Sequence, residues 1–221
     1  SSDLVLVGGE AGVGKSRLLR QFVTTAVTAS RGHVLWGACI ALAGGTAPYT
    51  PLIEALRRLV RERGEQEVRR LGGSAYLELS NLISDVTAGS TGVPTSQLRI
   101  FAAVLRLLDH LGAKAPTVLI FEDLHWADPS TLDLVSYLTR AKTNERLLLV
   151  CTYRSNDLDR RHPLWTLLAE PDFTRRIHRI ELSPFTEAEL RLFLTATSGE
   201  RIDHHLAARF YELSEGNAFF A

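Results

Sequence analysis

The segment Gly9-Glu10-Ala11-Gly12-Val13-Gly14-Lys15-Ser16 constrains this 221-residue chain more than any other. It fits the pattern G-x-x-x-x-G-K-[ST], directly after the apolar run Leu4–Val7 and directly before a helical pattern from Lys15 to about Ala29. At ordinary residue frequencies a chance match in a chain this long is on the order of 1 in 100, before the strand-to-helix context is counted. Gly9, Gly12 and Gly14 free the backbone to turn successive N–H groups toward one anion. Lys15 adds a mobile ammonium for β- and γ-phosphates and Ser16 a hydroxyl suited to Mg²⁺. The helix that starts there points its positive end at the same place. Gly9, Glu10, Ala11, Gly12, Val13, Gly14, Lys15, Ser16 and Arg17 are therefore the expected phosphate-binding residues.

Composition excludes several alternatives. Lys+Arg and Asp+Glu both number 25, so there is no basic excess of the kind a dedicated nucleic-acid-binding domain carries. Hydrophobic residues at 45% and charged residues at 23% match an ordinary globular chain rather than a disordered one. No apolar run approaches the roughly 18–20 residues of a membrane span, and Ser1-Ser2-Asp3-Leu4-Val5 is not a secretory leader. Cys39 and Cys151 lie in apolar strand-like runs and read as reduced, buried thiols, which fits a cytoplasmic location. The chain lacks methionine and ends within the apolar segment Phe219-Phe220-Ala221, so it is expected to be a module of a longer protein.

Strand-like runs at Leu4–Val7, His33–Ile40, Thr117–Phe121, Leu147–Thr152 and Ile177–Leu182 alternate with helical patterns, which predicts an α/β fold with a parallel five-stranded sheet. The helical patterns cover Leu52 to about Arg63, Ser96–Leu111 with Ser96 as N-cap, Pro129 to about Lys142 with Asp128 as N-cap, and Pro163–Ala169. A Gly/Pro-rich connector spans Gly44 to Pro51, and residues 65–95 read as a helical insertion. After Ser183-Pro184 only helices are predicted, Glu187–Thr197 and Asp203–Leu213. We therefore expect a nucleotide-binding core over 1–182 and the beginning of a small helical lid over 183–221.

The run Val118-Leu119-Ile120-Phe121-Glu122-Asp123 ends in two adjacent carboxylates. A buried strand has no structural need for such a repulsive pair, and Mg²⁺ near the phosphates would offset it. Glu122 is then expected on or next to the metal, with Ser16, and Asp123 beside the attacking water; the reverse assignment stays open. Arg154 follows Leu147–Thr152, and strand carboxyl ends line the crevice of a parallel sheet, so it is placed to sense a γ-phosphate. Glu122, Asp123 and Arg154 are the candidate catalytic residues. A structural role is expected for His125 and Trp126, a capping role for Asp128, and no zinc site at His204-His205. No Asn-Lys-x-Asp segment supports guanine, which favours adenine and hence ATP or ADP.

Residues 9–19, Trp36-Gly37-Ala38-Cys39, Pro48-Tyr49-Thr50-Pro51-Leu52 with Glu54-Ala55-Leu56, and Phe121-Glu122-Asp123-Leu124-His125-Trp126-Ala127-Asp128 together resemble the STAND-class P-loop ATPases. The likeness is greatest to the ATPase module of large bacterial LuxR-type transcriptional regulators. It implies a three-layer P-loop NTPase sandwich, an ATP- and Mg²⁺-dependent switch, and partners among copies of itself or neighbouring domains, with no direct nucleic-acid or membrane contact. It further implies that Thr152-Tyr153-Arg154 carries the γ-phosphate-sensing arginine and that Leu182-Ser183-Pro184-Phe185 places Pro184 on adenine. Gly216-Asn217-Ala218-Phe219-Phe220 resembles the family's Gly-Asn-Pro-Phe-Phe segment, with Ala218 in place of Pro; Glu122 stands where the family often has Asp. Turnover is expected to be slow, with Arg175 and Arg176 as candidates to act across a subunit interface. Two other readings share the loop, a scaffold that holds ADP without turnover and a small-molecule kinase.

Overall fold

Four of the five runs become strands because their apolar side chains suit a pleated surface covered by other elements, whereas Ile177–Leu182, with His178, Arg179 and Glu181 exposed, forms an edge strand. The computed structural model describes residues 3–41, 47–88, 96–141, 146–158, 161–170 and 177–220, with backbone alone for residues 3 and 83–88. The strands are β1 (Asp3–Gly9), β2 (His33–Ala38), β3 (Thr117–Glu122), β4 (Leu147–Thr152) and β5 (Ile177–Leu182). They form one sheet in the order β2-β3-β4-β1-β5, and each neighbouring pair is parallel. Parallel neighbours need crossover connections, and helices supply them. These are α1 (Lys15–Phe22), α2 (Thr50–Arg63), α3 (Glu65–Gly72), α4 (Ser74–Ala88), α5 (Gln97–Lys114), α6 (Pro129–Arg140) and α7 (Pro163–Ala169). After β5 come α8 (Glu187–Ser198) and α9 (His204–Ser214).

Alternation along the strands divides the core between the two faces. Leu119 and Phe121 of β3 join Leu4, Leu6, Leu149 and Cys151 in a large cluster with the buried faces of α2 to α7. Val118 and Ile120 point the other way, with Val7 and Val150, against Leu19 and Val27. Register then fixes the site. Val7 pairs with Thr152, Phe121 with Cys151, Ala38 with Glu122 and Gly9 with Leu182, which lines up the strand carboxyl ends along one border of the sheet.

Several elements differ from the sequence-based expectation. β2 stops at Ala38, and Ile40 is exposed beyond it. The first helix does not run evenly to Ala29: a π-turn occupies Val23–Val27, where Val23, Thr24 and Thr25 crowd the backbone with β-branched side chains. The expected insertion forms α3 and α4, separated at Gly73 (φ 52°), while residues 89–95 lie outside the described residues. So do Gly44, within the expected connector, and Lys142, the expected end of α6. Ser96 occupies the N-cap of α5 without a side-chain capping bond. Asp128 caps α6 as expected, accepting from Thr131 N–H at 3.0 Å. Cys39 and Cys151 are buried and unpaired, and burial pushes the Cys39 thiol up to about 12.

Candidate functional site

The turn after β1 is built from donors. Gly12 (φ 80°) and Gly9 (φ 142°) adopt conformations that L side chains rarely take. Among the described residues, no group accepts a backbone hydrogen bond from Gly12, Gly14, Lys15 or Ser16. Four free N–H groups at the start of a helix make an anion-binding concavity without any side chain. Lys15 is buried, and its Nζ donates to the carbonyls of Gly9 at 2.8 Å and Glu10 at 2.7 Å. Burial holds its pKa below the ordinary lysine value, with the Asp123 charge opposing that effect.

The two carboxylates end β3 at the side of this turn, and they are held differently. Both oxygens of Glu122 are engaged: Ser16 Oγ donates to Oε1, and Trp36 Nε1 donates to Oε2 at 2.8 Å. Asp123 turns into the left-handed region (φ 55°, ψ 47°), a conformation that Asp tolerates better than most residues. Its N–H donates to Thr152 Oγ1 on β4 at 2.9 Å, and that bond secures the turn. Burial raises the Asp123 pKa above the usual carboxylate value, and the Arg154 guanidinium pulls it back down.

Arg154 is positioned by its neighbours rather than left on a loop. Its guanidinium lies 4.8 Å from the Trp126 ring centroid, a cation–π geometry, and Nη1 stands 3.6 Å from Asp157 Oδ2. Its backbone N–H donates to His125 Nδ1 at 3.3 Å. That bond assigns the ring proton to Nε2, which stands 3.5 Å from Asp157 Oδ2. Burial, reinforced by Arg154, lowers the His125 pKa to about 4, so the imidazole is neutral near pH 7. His162 completes the chain: its Nε2 donates to the His125 carbonyl at 2.8 Å, and its Nδ1 accepts from Leu164 N–H at the start of α7.

The segment after α9 closes the other side. Asn217 Nδ2 donates to the Ala11 carbonyl at 2.8 Å. A Cβ on Gly12 would stand 2.5 Å from Asn217 Oδ1 and 2.8 Å from Phe219 Cβ, so this glycine permits close approach as well as the turn. Beside the loop opens a cavity of about 630 Å³ whose walls include Val13, Arg17, Leu18, Phe185, Phe193 and Phe219. Leu182 and Phe185, on either side of Pro184, both line it.

The expected residues 9–17, Glu122, Asp123 and Arg154 thus meet at one border of the sheet. Arg175 and Arg176 lie outside the described residues. His204 Nδ1 stands 3.2 Å from Glu187, and no group of three or more His, Cys, Asp or Glu among the described residues is arranged to hold a metal. Sequence reasoning missed the hydrogen-bonding work of Thr152, Trp36 and Asn217. A polar residue closing the apolar run Leu147–Thr152 was the one local signal of the three.

A parallel sheet in this order, with the glycine-rich turn between β1 and α1, defines the P-loop NTPase fold. Residues 1–150 match the AAA ATPase domain family, and the chain belongs to that family. An uncharacterized protein of Rhizobium meliloti (strain 1021) is 29% identical over 221 residues, an alignment covering 93% of this chain and 20% of that protein. A Walker-type ATPase of Pyrococcus abyssi superposes over 99% of this chain and 60% of its own, with TM-score 0.58 and 16% identity. A signal transduction ATPase with numerous domains and a tetratricopeptide repeat sensor, from Pyrococcus horikoshii, superposes over 99% of this chain and 26% of its own, with TM-score 0.53 and 14% identity. At these identities the structural likeness shows the fold, and this chain spans only a fraction of each relative's length. No described helix is long and apolar enough to cross a membrane.

Proposed function

We propose that this domain binds ATP with Mg²⁺, hydrolyses it slowly, and serves as a regulatory switch within a larger signalling or transcriptional protein. The observation that carries this reading is the set of free N–H groups of Gly12, Gly14, Lys15 and Ser16, beside a serine–carboxylate pair at the end of β3. Lys15 would neutralise the β- and γ-phosphates. The hydroxyl of Ser16 and the carboxylate of Glu122 already meet, so they are suited to hold Mg²⁺, which takes few protein ligands and keeps phosphate oxygens and water for the rest of its shell. When bound, Mg²⁺ would neutralise charge that develops on the phosphates.

Asp123 is suited to orient and polarise the attacking water, because burial raises its basicity and Thr152 fixes its backbone. Arg154, braced on Trp126, would reach the γ-phosphate and register its loss. The cavity beside the loop is large and apolar enough for a purine, with Leu182, Phe185 and Phe219 in its wall, and Pro184, between Leu182 and Phe185 in the chain, would pack on the adenine. Residues 183–221 would act as the lid, whose docking exposes or hides a surface for self-association or for other domains of the parent protein.

Phosphate release from ATP, measured with Mg²⁺, with chelator and with candidate acceptors, tests the proposal beside Asp123→Asn. We expect steady Mg²⁺-dependent turnover that falls about 10²-fold or more in the variant. Tight ADP binding without turnover would overturn the switch in favour of a scaffold. ADP production that requires an acceptor would overturn it in favour of a kinase.

A further inference from the structure

The Asn217 contact does more than attach the helical segment to the core. Asn217 Oδ1 accepts from Phe219 N–H at 3.0 Å, which holds the side chain in its own turn, and Nδ2 reaches the Ala11 carbonyl. The turn is also fixed from behind, because Phe185 N–H donates to the Gly216 carbonyl at 2.8 Å and Gly216 packs directly on the Phe185 backbone. Ala11 and Gly12 share a trans peptide, so the carbonyl of one and the N–H of the other point in opposite directions. A carbonyl drawn toward Asn217 therefore aims the Gly12 N–H away from the helical segment, and that N–H has no acceptor among the described residues.

We propose that Asn217 is a positioning residue for the phosphate loop: by gripping the Ala11 carbonyl it fixes the Gly12 N–H for an anion, so that docking of the helical segment and phosphate binding strengthen one another. This rests on the nucleotide-binding reading above. Coupling of this kind is reciprocal, so the nucleotide must steady the segment as much as the segment tightens the nucleotide.

The experiment uses the whole chain, with ADP titrated by calorimetry, and two variants. Asn217→Ala removes the side chain; Asn217→Asp keeps the acceptor for Phe219 N–H and removes the donor to Ala11, and is measured at high salt to screen its added charge. Loss of one neutral hydrogen bond that orients a binding group predicts about threefold to tenfold weaker ADP binding in both. The Gly12 amide resonance should shift in the nucleotide-free variants. ADP should slow hydrogen exchange across His204–Ser214 in the wild type and much less in the variants. ADP binding and a Gly12 resonance unchanged in folded Asn217→Asp would overturn the proposal. Failure of the wild type itself to bind ADP would instead overturn the nucleotide reading.

Discussion

Acidification should destabilise this domain through His125 in a pH range where most carboxylates are still ionised. Its side chain is 1% exposed and accepts the Arg154 N–H, and burial with the nearby guanidinium holds its pKa at about 4 against an ordinary 6.5. The unfolded chain therefore takes up this proton where the folded chain does not. The resulting stabilisation is complete above about pH 6.5 and is lost as the pH falls toward 4. At about 1.36 kcal/mol for each pH unit between those values, the loss is on the order of 3 kcal/mol. His33, also lowered by burial and by Arg63, acts in the same direction. Asp123 acts in the opposite one, because its raised pKa lets the folded state keep a proton that the unfolded state releases. His125→Asn isolates the effect, since the Asn oxygen can replace Nδ1 as acceptor but does not titrate. Urea unfolding from pH 7.5 to 4.5 should show the wild type losing roughly 2–3 kcal/mol more than the variant, with the imidazole followed by NMR titration. Parallel pH profiles, or a His125 pKa near 6.5, would refute the claim that the folded site keeps this ring neutral.

Two further perturbations probe how the site is held. Trp36→Phe removes the 2.8 Å donor to Glu122 while keeping most of the ring. Allowing for partial exposure of both groups, the loss is about 1 kcal/mol, so Mg²⁺-ATP binding should weaken about fivefold with little change in metal-free ADP binding; equal losses for both ligands would show that Glu122 does not act through the metal. Gly37→Ala would set a Cβ 1.8 Å from the Pro51 carbonyl oxygen and 2.6 Å from its carbon, forcing β2 and α2 apart. We expect a cost of about 3 kcal/mol and a drop in Tm of roughly 6–12 °C by thermal denaturation, and an unchanged Tm would contradict this packing.

What could be read from the sequence is what local chemistry decides. The spans Leu147–Thr152, Pro163–Ala169 and Ile177–Leu182 coincide with β4, α7 and β5 because each is a short run bounded by turn or capping residues. The loop from Gly9 to Ser16 was legible because its function requires backbone conformations that only glycine readily provides. Residues 65–88 were harder. Apolar positions there repeat over short spans interrupted by Gly72-Gly73, and only packing against α5 and α2 makes two helices of them.

The illegible part of the site is the set of hydrogen bonds between distant elements. Trp36 and Glu122 are 86 positions apart, Asn217 and Ala11 are 206, and nothing in the flanking residues marks either pair. Glu122 illustrates the consequence. By itself it leaves the reach of the carboxylate unspecified, because its second methylene adds a rotatable bond. Folded, that freedom is removed: Ser16 takes one oxygen and Trp36 the other, from elements on either side of β3's end. The acid is thus held by two donors, one of them supplied by β2. The identity of residue 122 acquires its meaning from residue 36, through a pairing register that places Ala38 beside Glu122.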